Sequence, residues 1–308
     1  MPPEFKFSYS ASNTYNGCER KYWYEKVANV PVDPDYTDDA RALIVGKAFH
    51  SALEACRHDK SVFKPDMVHN ACVEHGVVYP SDRGMILAMC YRYMNLHARS
   101  GLTVVVCEIR VGNEGVVGYI DAVMIDRNGY WWIVDLKTAA MLNNFLLSRL
   151  GNDPQLNLYA YFAPDVAADL RLDLEKFRGV RYRVTTKTRK VPKKQETTDS
   201  FMKRIYKEDI ESFDIGIPVE ELDPEGTYAR FMELRGRVER TWLSKEEDVP
   251  QNFGNCESYR RPCPYWSRCY GDTFTGAART RAIFDSTNII DLTHSPQGAD
   301  DEDDALFV

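Results

Sequence analysis

Apolar positions run most densely over Val116–Asp126 and Tyr130–Thr138, two stretches rich in β-forming residues. Between them, Asp126-Arg127-Asn128-Gly129 is a turn signal, so the pair predicts a β-hairpin. Leu102–Val111 reads as a strand entering that hairpin, and Gly179–Lys187 as a later strand. Helical spacing of apolar residues predicts helices over Ser8–Val27, Ala40–Arg57, Pro65–Glu74, Ser81–Arg99, Ser200–Ile210 and Pro224–Leu243. Within Ala40–Arg57, the residues Leu43, Lys47, His50 and Glu54 fall along one face. Asn152-Asp153-Pro154 and Asp223-Pro224 each place a capping side chain before a first-turn proline, a start signal for a helix. Val30–Asp39, with Pro31, Pro34 and four acids, reads as a loop. The order of helices, strands, helix and strand gives an α/β fold: a small mixed sheet flanked by helices, with no internal repeat.

Charge enters this pattern where strands normally exclude it. Asp121 lies in the first hairpin strand, and Asp135 and Lys137 in the second. If Arg127, Asn128 and Gly129 form a three-residue loop, Asp121 faces Asp135 with Cβ atoms roughly 5 Å apart. A two-residue Asn-Gly loop shifts the register by one and separates them. Lys137 points to the same face as Asp135. Val123, Ile125, Trp131 and Ile133 share the acids' face, while Ile120, Met124, Trp132 and Val134 make the other. Both faces read as buried, which opposes the reading of the acids as solvated surface residues. Facing carboxylates destabilise a sheet unless something positive sits between them, and a divalent metal ion is the simplest candidate.

An Asp followed by a hydrophobic strand ending in Asp-x-Lys resembles the core of the PD-(D/E)XK nuclease superfamily. Within it, the chain is similar to the RecB-like exonucleases and to the iron–sulfur nuclease of CRISPR adaptation. Gly46-Lys-Ala-Phe-His50 matches the upstream Gly-x-x-x-His motif and Gln155-Leu-Asn-Leu-Tyr159 the downstream Gln-x-x-x-Tyr motif. Cys18, with Cys256, Cys263 and Cys269, matches a split cysteine set, and the match runs from about Ser8 to Tyr270. One departure is Glu19, where the family usually has proline.

The resemblance implies a restriction-endonuclease-like core with an N-terminal helical part and a C-terminal iron–sulfur loop, all within residues 1–272. It implies Mg²⁺ or Mn²⁺ held by His50, Asp121, Asp135 and the Leu136 carbonyl. Carboxylates suit hard cations, and an imidazole tilts preference toward Mn²⁺. Lys137 would orient the attacking water or stabilise developing negative charge. Gln155 and Tyr159, at i and i+4 on one helix face, would hold DNA and brace the site. Glu108, on the strand before the hairpin, either faces the metal or pairs with Arg110. The four cysteines would ligate a 4Fe–4S cluster, with Zn²⁺ as the rival occupant. Cys56, Cys72, Cys90 and Cys107 read as core thiols.

Composition adds bounds. At 308 residues and 44% hydrophobic content the chain can fill a sizeable core. No apolar run reaches the roughly 20 residues that a membrane span needs, and the N-terminus lacks a signal peptide's apolar segment, so the expectation is a cytoplasmic protein. Eight cysteines in that setting argue for thiols or metal ligands over disulfides. The net charge of −7 is uneven. Asp300, Asp301, Glu302, Asp303 and Asp304 end a stretch, 273–308, that reads as a disordered acidic tail. That tail suits a protein partner, mimicry of DNA, or solubility alone. Arg178–Lys194 instead carries eight cations and no acid, which suits a phosphate backbone or a solvated loop.

Together these readings point to a metal-dependent DNA exonuclease acting on single-stranded or end-exposed DNA, in recombination, repair or phage replication. Two other classes stay open: a catalytically silent DNA-binding module, and an accessory subunit of a DNA-processing complex.

Overall fold

A computed structural model describes residues 6–32, 40–113, 115–258 and 261–270. Within them, residues 6–31 and 40–255 form one compact unit, and residues from 256 onward belong to a second. The expected acidic tail lies outside the described residues.

The first unit is built on a five-stranded sheet in the order β1 (Leu102–Val111), β2 (Gly118–Asp126), β3 (Trp131–Ala139), β4 (Phe177–Thr186), β5 (Ser212–Pro218). All neighbours are antiparallel except β3 and β4. A parallel pair requires a long crossover. Here α6 (Asn144–Leu147), α7 (Pro154–Tyr161) and α8 (Ala163–Leu170) supply it. Four other helices carry the second face: α3 (Ala40–Ala55), α4 (Pro65–Glu74), α5 (Pro80–Ser100) and α9 (Thr198–Glu208). α10 (Pro224–Trp242) starts where Asp223 caps it, its side chain accepting from the Gly226 N–H.

The hairpin takes the three-residue loop. The Asp126 N–H donates to the Tyr130 carbonyl at 2.8 Å. The Asp126 carboxylate accepts from the N–H groups of Asn128 and Tyr130. Gly129 adopts φ +82°, which a residue with a Cβ rarely does. The register runs from Ile125↔Trp131 to Ala122↔Val134, one rung short of the two acids.

Two hydrophobic cores lie on the two faces. Val123, Trp131, Ile133, Val180 and Val184 pack with Leu156 and Tyr159 of α7 and Val166 of α8. Ala122, Met124, Val134 and Leu136 pack with Phe49 of α3 and Ile86 and Met89 of α5. Ile120 departs from expectation, because it joins Val123's core and not that of Met124. The alternation of β2 therefore slips across Asp121, where the ladder to β3 ends. Cys56, Cys72 and Cys90 are buried in the second core, and burial pushes the Cys56 thiol up to about 11. No helix among the described residues is long and apolar enough to cross a membrane.

The expected single helix over Ser8–Val27 is broken. α1 (Tyr9–Gly17) stops at Cys18, which is extended at φ −164° and ψ 118°. α2 (Glu19–Tyr22) follows, and Trp23–Val27 forms a π-helical turn. Gly17 is a poor helix residue, and the Cys18 sulfur caps the new start by accepting from the Lys21 N–H at 3.5 Å.

The basic stretch also needs correction. Arg183 is fully buried, and with Arg181 it grips Asp214 of β5, the two guanidinium bonds being 2.8 and 2.7 Å long. These two cations hold a sheet edge together and are not free for a phosphate backbone. Arg183 also donates to the Tyr93 hydroxyl at 3.2 Å and to His97 Nδ1 at 2.9 Å, and Tyr93 in turn meets His58 Nδ1 at 2.6 Å. Arg183 can only donate, so His97 must be neutral to accept from it, and a neutral His58 can accept from the Tyr93 hydroxyl.

Both histidines are pushed down from 6.5, His58 to about 3 and His97 to about 4. Burial is the largest cause for each, followed by His97 and Arg183 acting on His58 and by Arg183 acting on His97. An unfolded chain protonates these groups below pH 6.5, whereas the folded one resists until near pH 3–4. Stability from this source is complete above pH 6.5 and declines as the pH falls through that window. Urea unfolding between pH 7 and 4.5 should show His58 contributing a loss of about 1 kcal/mol per pH unit. His58→Gln, which keeps an acceptor for Tyr93, should flatten the profile. Parallel curves for the two proteins would contradict the assignment.

Candidate active site

The open end of the sheet, where β2 and β3 part, holds the charged side chains. Asp121 fills the gap itself: its Oδ2 accepts from the Leu136 backbone N–H at 2.6 Å, the position a strand partner would have taken. Its Oδ1 lies 3.3 Å from His50 Nδ1 on α3. α3 comes this close because residue 46 is glycine. A Cβ there would meet Thr138 Oγ1 of β3 at 3.2 Å.

Asp135 is completely buried. Its Oδ1 accepts from Lys137 Nζ at 2.9 Å, and its Oδ2 has no hydrogen-bond partner among the described residues. Lys137 Nζ also donates to Gln155 Oε1 at 3.0 Å. Gln155 Nε2 donates to the Tyr159 hydroxyl at 2.7 Å, which donates to the Tyr119 carbonyl at 2.5 Å. A relay thus runs from Asp135 through Lys137 and α7 back to the backbone of β2. Asp153 secures the start of α7, accepting from the N–H groups of Gln155 and Leu156.

The two acids share the gap unequally. Burial pushes Asp135 up to about 7, Asp121 adds to the rise, and Lys137 opposes it. Burial pushes Asp121 the same way, but the hydrogen bond and charge of His50, the charge of Lys137 and the Leu136 N–H together hold it below the usual carboxylate value. Lys137 is raised: burial opposes its charge, and Asp135 and Asp121 more than compensate. Asp121 is therefore ionised, while Asp135 is the carboxyl under strain.

Glu108 belongs to this end of the sheet. The pairs Cys107↔Ala122 and Ile109↔Ile120 bracket Glu108 and Asp121 on neighbouring strands. Glu108 has φ +51°, costly for a residue with a side chain. Burial raises its pKa, as do Asp121 and Glu54, and His50 opposes them. Arg110 lies opposite Tyr119, and among the described residues no ion pair joins it to Glu108.

A cleft of about 630 Å³ opens here, lined by Gly46, Lys47, His50 and Glu54 of α3, His75, Glu108, Leu136, Lys137 and Lys187. Ser51 and His75, which also line it, hydrogen-bond at 2.7 Å. Sequence reasoning placed Lys187 in a basic stretch but not in this cleft, and it gave no sign of His75, which reaches the site only through the packing of α4 on α3.

Among the described residues no three His, Cys, Asp or Glu side chains converge as a ready-made metal-ligand group. The fit to a divalent cation rests on the two carboxylates and the orphaned, buried Asp135 Oδ2. A hard cation takes backbone carbonyls and water as its remaining ligands. Cys18, Cys56, Cys72, Cys90 and Cys107 form no disulfide. Cys18 lines a small cavity of about 170 Å³ with Tyr15, Glu19 and Arg237. In the second unit the Cys263 N–H donates to the Cys256 carbonyl at 2.7 Å, and the Cys269 N–H donates to the Tyr265 carbonyl at 3.2 Å.

Tyr159→Phe removes both hydroxyl bonds of the relay and strands the Tyr119 carbonyl. Urea unfolding should show a loss of about 1–2 kcal/mol. An unchanged unfolding midpoint would mean that the hydroxyl is idle.

The family model of the PD-(D/E)XK nuclease superfamily matches residues 6–270. No curated protein matches the chain. A solved structure titled "Crystal structure of SSO0001" is similar at 14% identity, covering 66% of this chain and 74% of that one with a TM-score of 0.24, a likeness too slight to carry an argument. The matched span takes in the sheet, both site helices and the Asp121–Asp135–Lys137 constellation: the chain belongs to the PD-(D/E)XK nuclease superfamily.

Proposed function

We propose that the protein hydrolyses phosphodiester bonds of DNA with the help of Mg²⁺ or Mn²⁺, at the gap between β2 and β3. The observation that carries this reading is the buried Asp135, one oxygen held by Lys137 and the other unpartnered, beside an ionised Asp121. Burying a carboxylate without full compensation is expensive, and a bound cation would supply what is missing. Asp121 and Asp135 would hold that ion, with His50 and the Leu136 carbonyl completing the set. Bound there, a divalent ion can activate water and stabilise charge on the leaving oxygen.

The chain's own groups do the rest. Lys137 keeps an ammonium at the mouth of the gap, where it can donate to an attacking water or to a phosphoryl oxygen. Gln155 fixes the lysine head from the far side, and Tyr159 fixes Gln155, so α7 positions the donor without touching the acids. His50 holds Asp121 ionised and oriented. The presence of all three of Asp121, Asp135 and Lys137 favours catalysis over a silent binding module.

The finer reading is an exonuclease on single-stranded or end-exposed DNA, and it rests on the Gly46–His50 and Gln155–Tyr159 motifs that resemble RecB-like enzymes. The reading of a 4Fe–4S cluster rests on the resemblance of the split set Cys18, Cys256, Cys263 and Cys269, four sulfur donors of the kind such a cluster takes. Zn²⁺ is the alternative occupant. Iron and acid-labile sulfide in anaerobically purified protein, lost in Cys18→Ser, would support the cluster. Stoichiometric zinc without sulfide would replace it.

End-labelled single- and double-stranded DNA should be digested in Mg²⁺ or Mn²⁺ and spared in EDTA, with a ladder of products that reveals end dependence. Asp135→Asn and Lys137→Ala should each lower the rate a hundredfold or more. His50→Ala, which removes a metal ligand and the partner of Asp121, should lower it about 10–100-fold. DNA left intact by the wild type with every metal would overturn the enzyme.

A further inference from the structure

Among the described residues, Lys187 is the strand-end cation of the cleft that the hydrolytic chemistry does not use. It follows β4 directly, and its backbone N–H donates to the Ala139 carbonyl at 2.7 Å, one step beyond the last rung of the β3–β4 ladder. That places it beside the end of the strand that carries Lys137. The side chain is half-buried, and its Nζ donates to the Ala42 carbonyl of α3 at 3.1 Å. Lys47, one turn further along α3, lines the same cleft and is exposed.

The partners of these lysines set them apart. Lys137 has Asp135, and Lys190 has Glu208 and Asp209. Lys187 and Lys47 have no carboxylate partner among the described residues, although Glu54 and Glu108 line the same cleft. A partly desolvated ammonium that meets only a carbonyl is poorly compensated. Its burial depresses the Lys187 pKa, with no anion to offset it. A protein that needed only to tie β4 to α3 could use a neutral donor. A cation left uncompensated on the wall of an open cleft is a place for an anion.

We propose that Lys187, with Lys47, holds a backbone phosphate of the DNA strand next to the phosphate being cleaved. The inference rests on the nuclease reading and deepens it: the cleft favours a substrate that extends at least one phosphate beyond the scissile bond. Lys187 is then a binding residue for the strand and takes no part in the chemical step.

The test uses Lys187→Gln, which keeps an N–H donor for Ala42 and removes the charge, with Lys187→Arg as the conservative rescue. Two substrates separate the roles: a single-stranded oligonucleotide, and the p-nitrophenyl ester of thymidine 5′-phosphate, which has one phosphodiester and no neighbour. Lys187→Gln should raise KM for the oligonucleotide about tenfold or more, the weight of one charge-assisted contact. Its kcat should stay within about twofold, the signature of lost binding shared by ground and transition states. The ester should be turned over at the wild-type rate, and Lys187→Arg should recover most of the oligonucleotide affinity. In EDTA, the slope of log affinity for single-stranded DNA against log salt should shrink by about 0.7, one phosphate contact. DNA cleaved by both proteins with equal KM and equal salt slopes would overturn the lysine's role alone, as would equal losses on both substrates. DNA neither bound nor cleaved by the wild type would overturn the nuclease reading and the lysine's role with it.

Discussion

Asp135 carries a carboxylate into a part of the sheet from which water is excluded, and much of the site can be understood as a response to that placement. Burial alone makes the ionised form expensive, and Asp121 nearby makes it worse. The molecule offsets this only in part, with Lys137 on one oxygen and nothing on the other. Stability would be better served by an apolar residue, as at the neighbouring Val134 and Leu136, which are almost fully buried without strain. Retaining the acid is the pattern of a site that trades stability for binding. The strained backbone at Glu108 and the parted strands at Asp121 lie at the same end of the sheet.

The two sides of the gap contribute different things. α7, anchored by Asp153, delivers Gln155 and Tyr159 as neutral hydrogen-bonding braces for Lys137. α3, drawn in by Gly46, delivers His50, Glu54 and Lys47 to the cleft. The helical core on the α3 side is stiffened from below by the buried Asp214–Arg183–Tyr93–His58 chain. Cations that look alike in sequence are thus divided between the sheet and the cleft. Arg181 and Arg183 belong to the sheet, and Lys187, the first residue past the end of β4, lines the cleft.

The hairpin and its register were legible because they depend on local chemistry: an Asx-type turn at Asp126 and a glycine where φ must be positive. The motif helices were legible from caps and resemblance. The strand β5 was not, since Asp214, Gly216 and Pro218 dilute its β character and it is held in place by Arg181 and Arg183 from β4. Neither was the break at Cys18, where one extended residue interrupts an otherwise helical pattern. The positive φ of Glu108 and the burial of Arg183 are tertiary effects, visible only once the strands are paired. The sequence placed Asp121 opposite Asp135. The fold instead turns Asp121 onto the Leu136 N–H, which keeps the acids close without a ladder rung between them.

The central claim is that the gap is kept for a divalent cation, and Mn²⁺ binding measured by electron paramagnetic resonance tests it without requiring any substrate. The wild type should take up Mn²⁺ in competition with Mg²⁺, and Asp135→Asn should lose at least tenfold in affinity, as expected when a ligand is removed from a metal site. Equal Mn²⁺ binding by the two proteins would show that the buried carboxylate serves something other than a metal and would contradict the account.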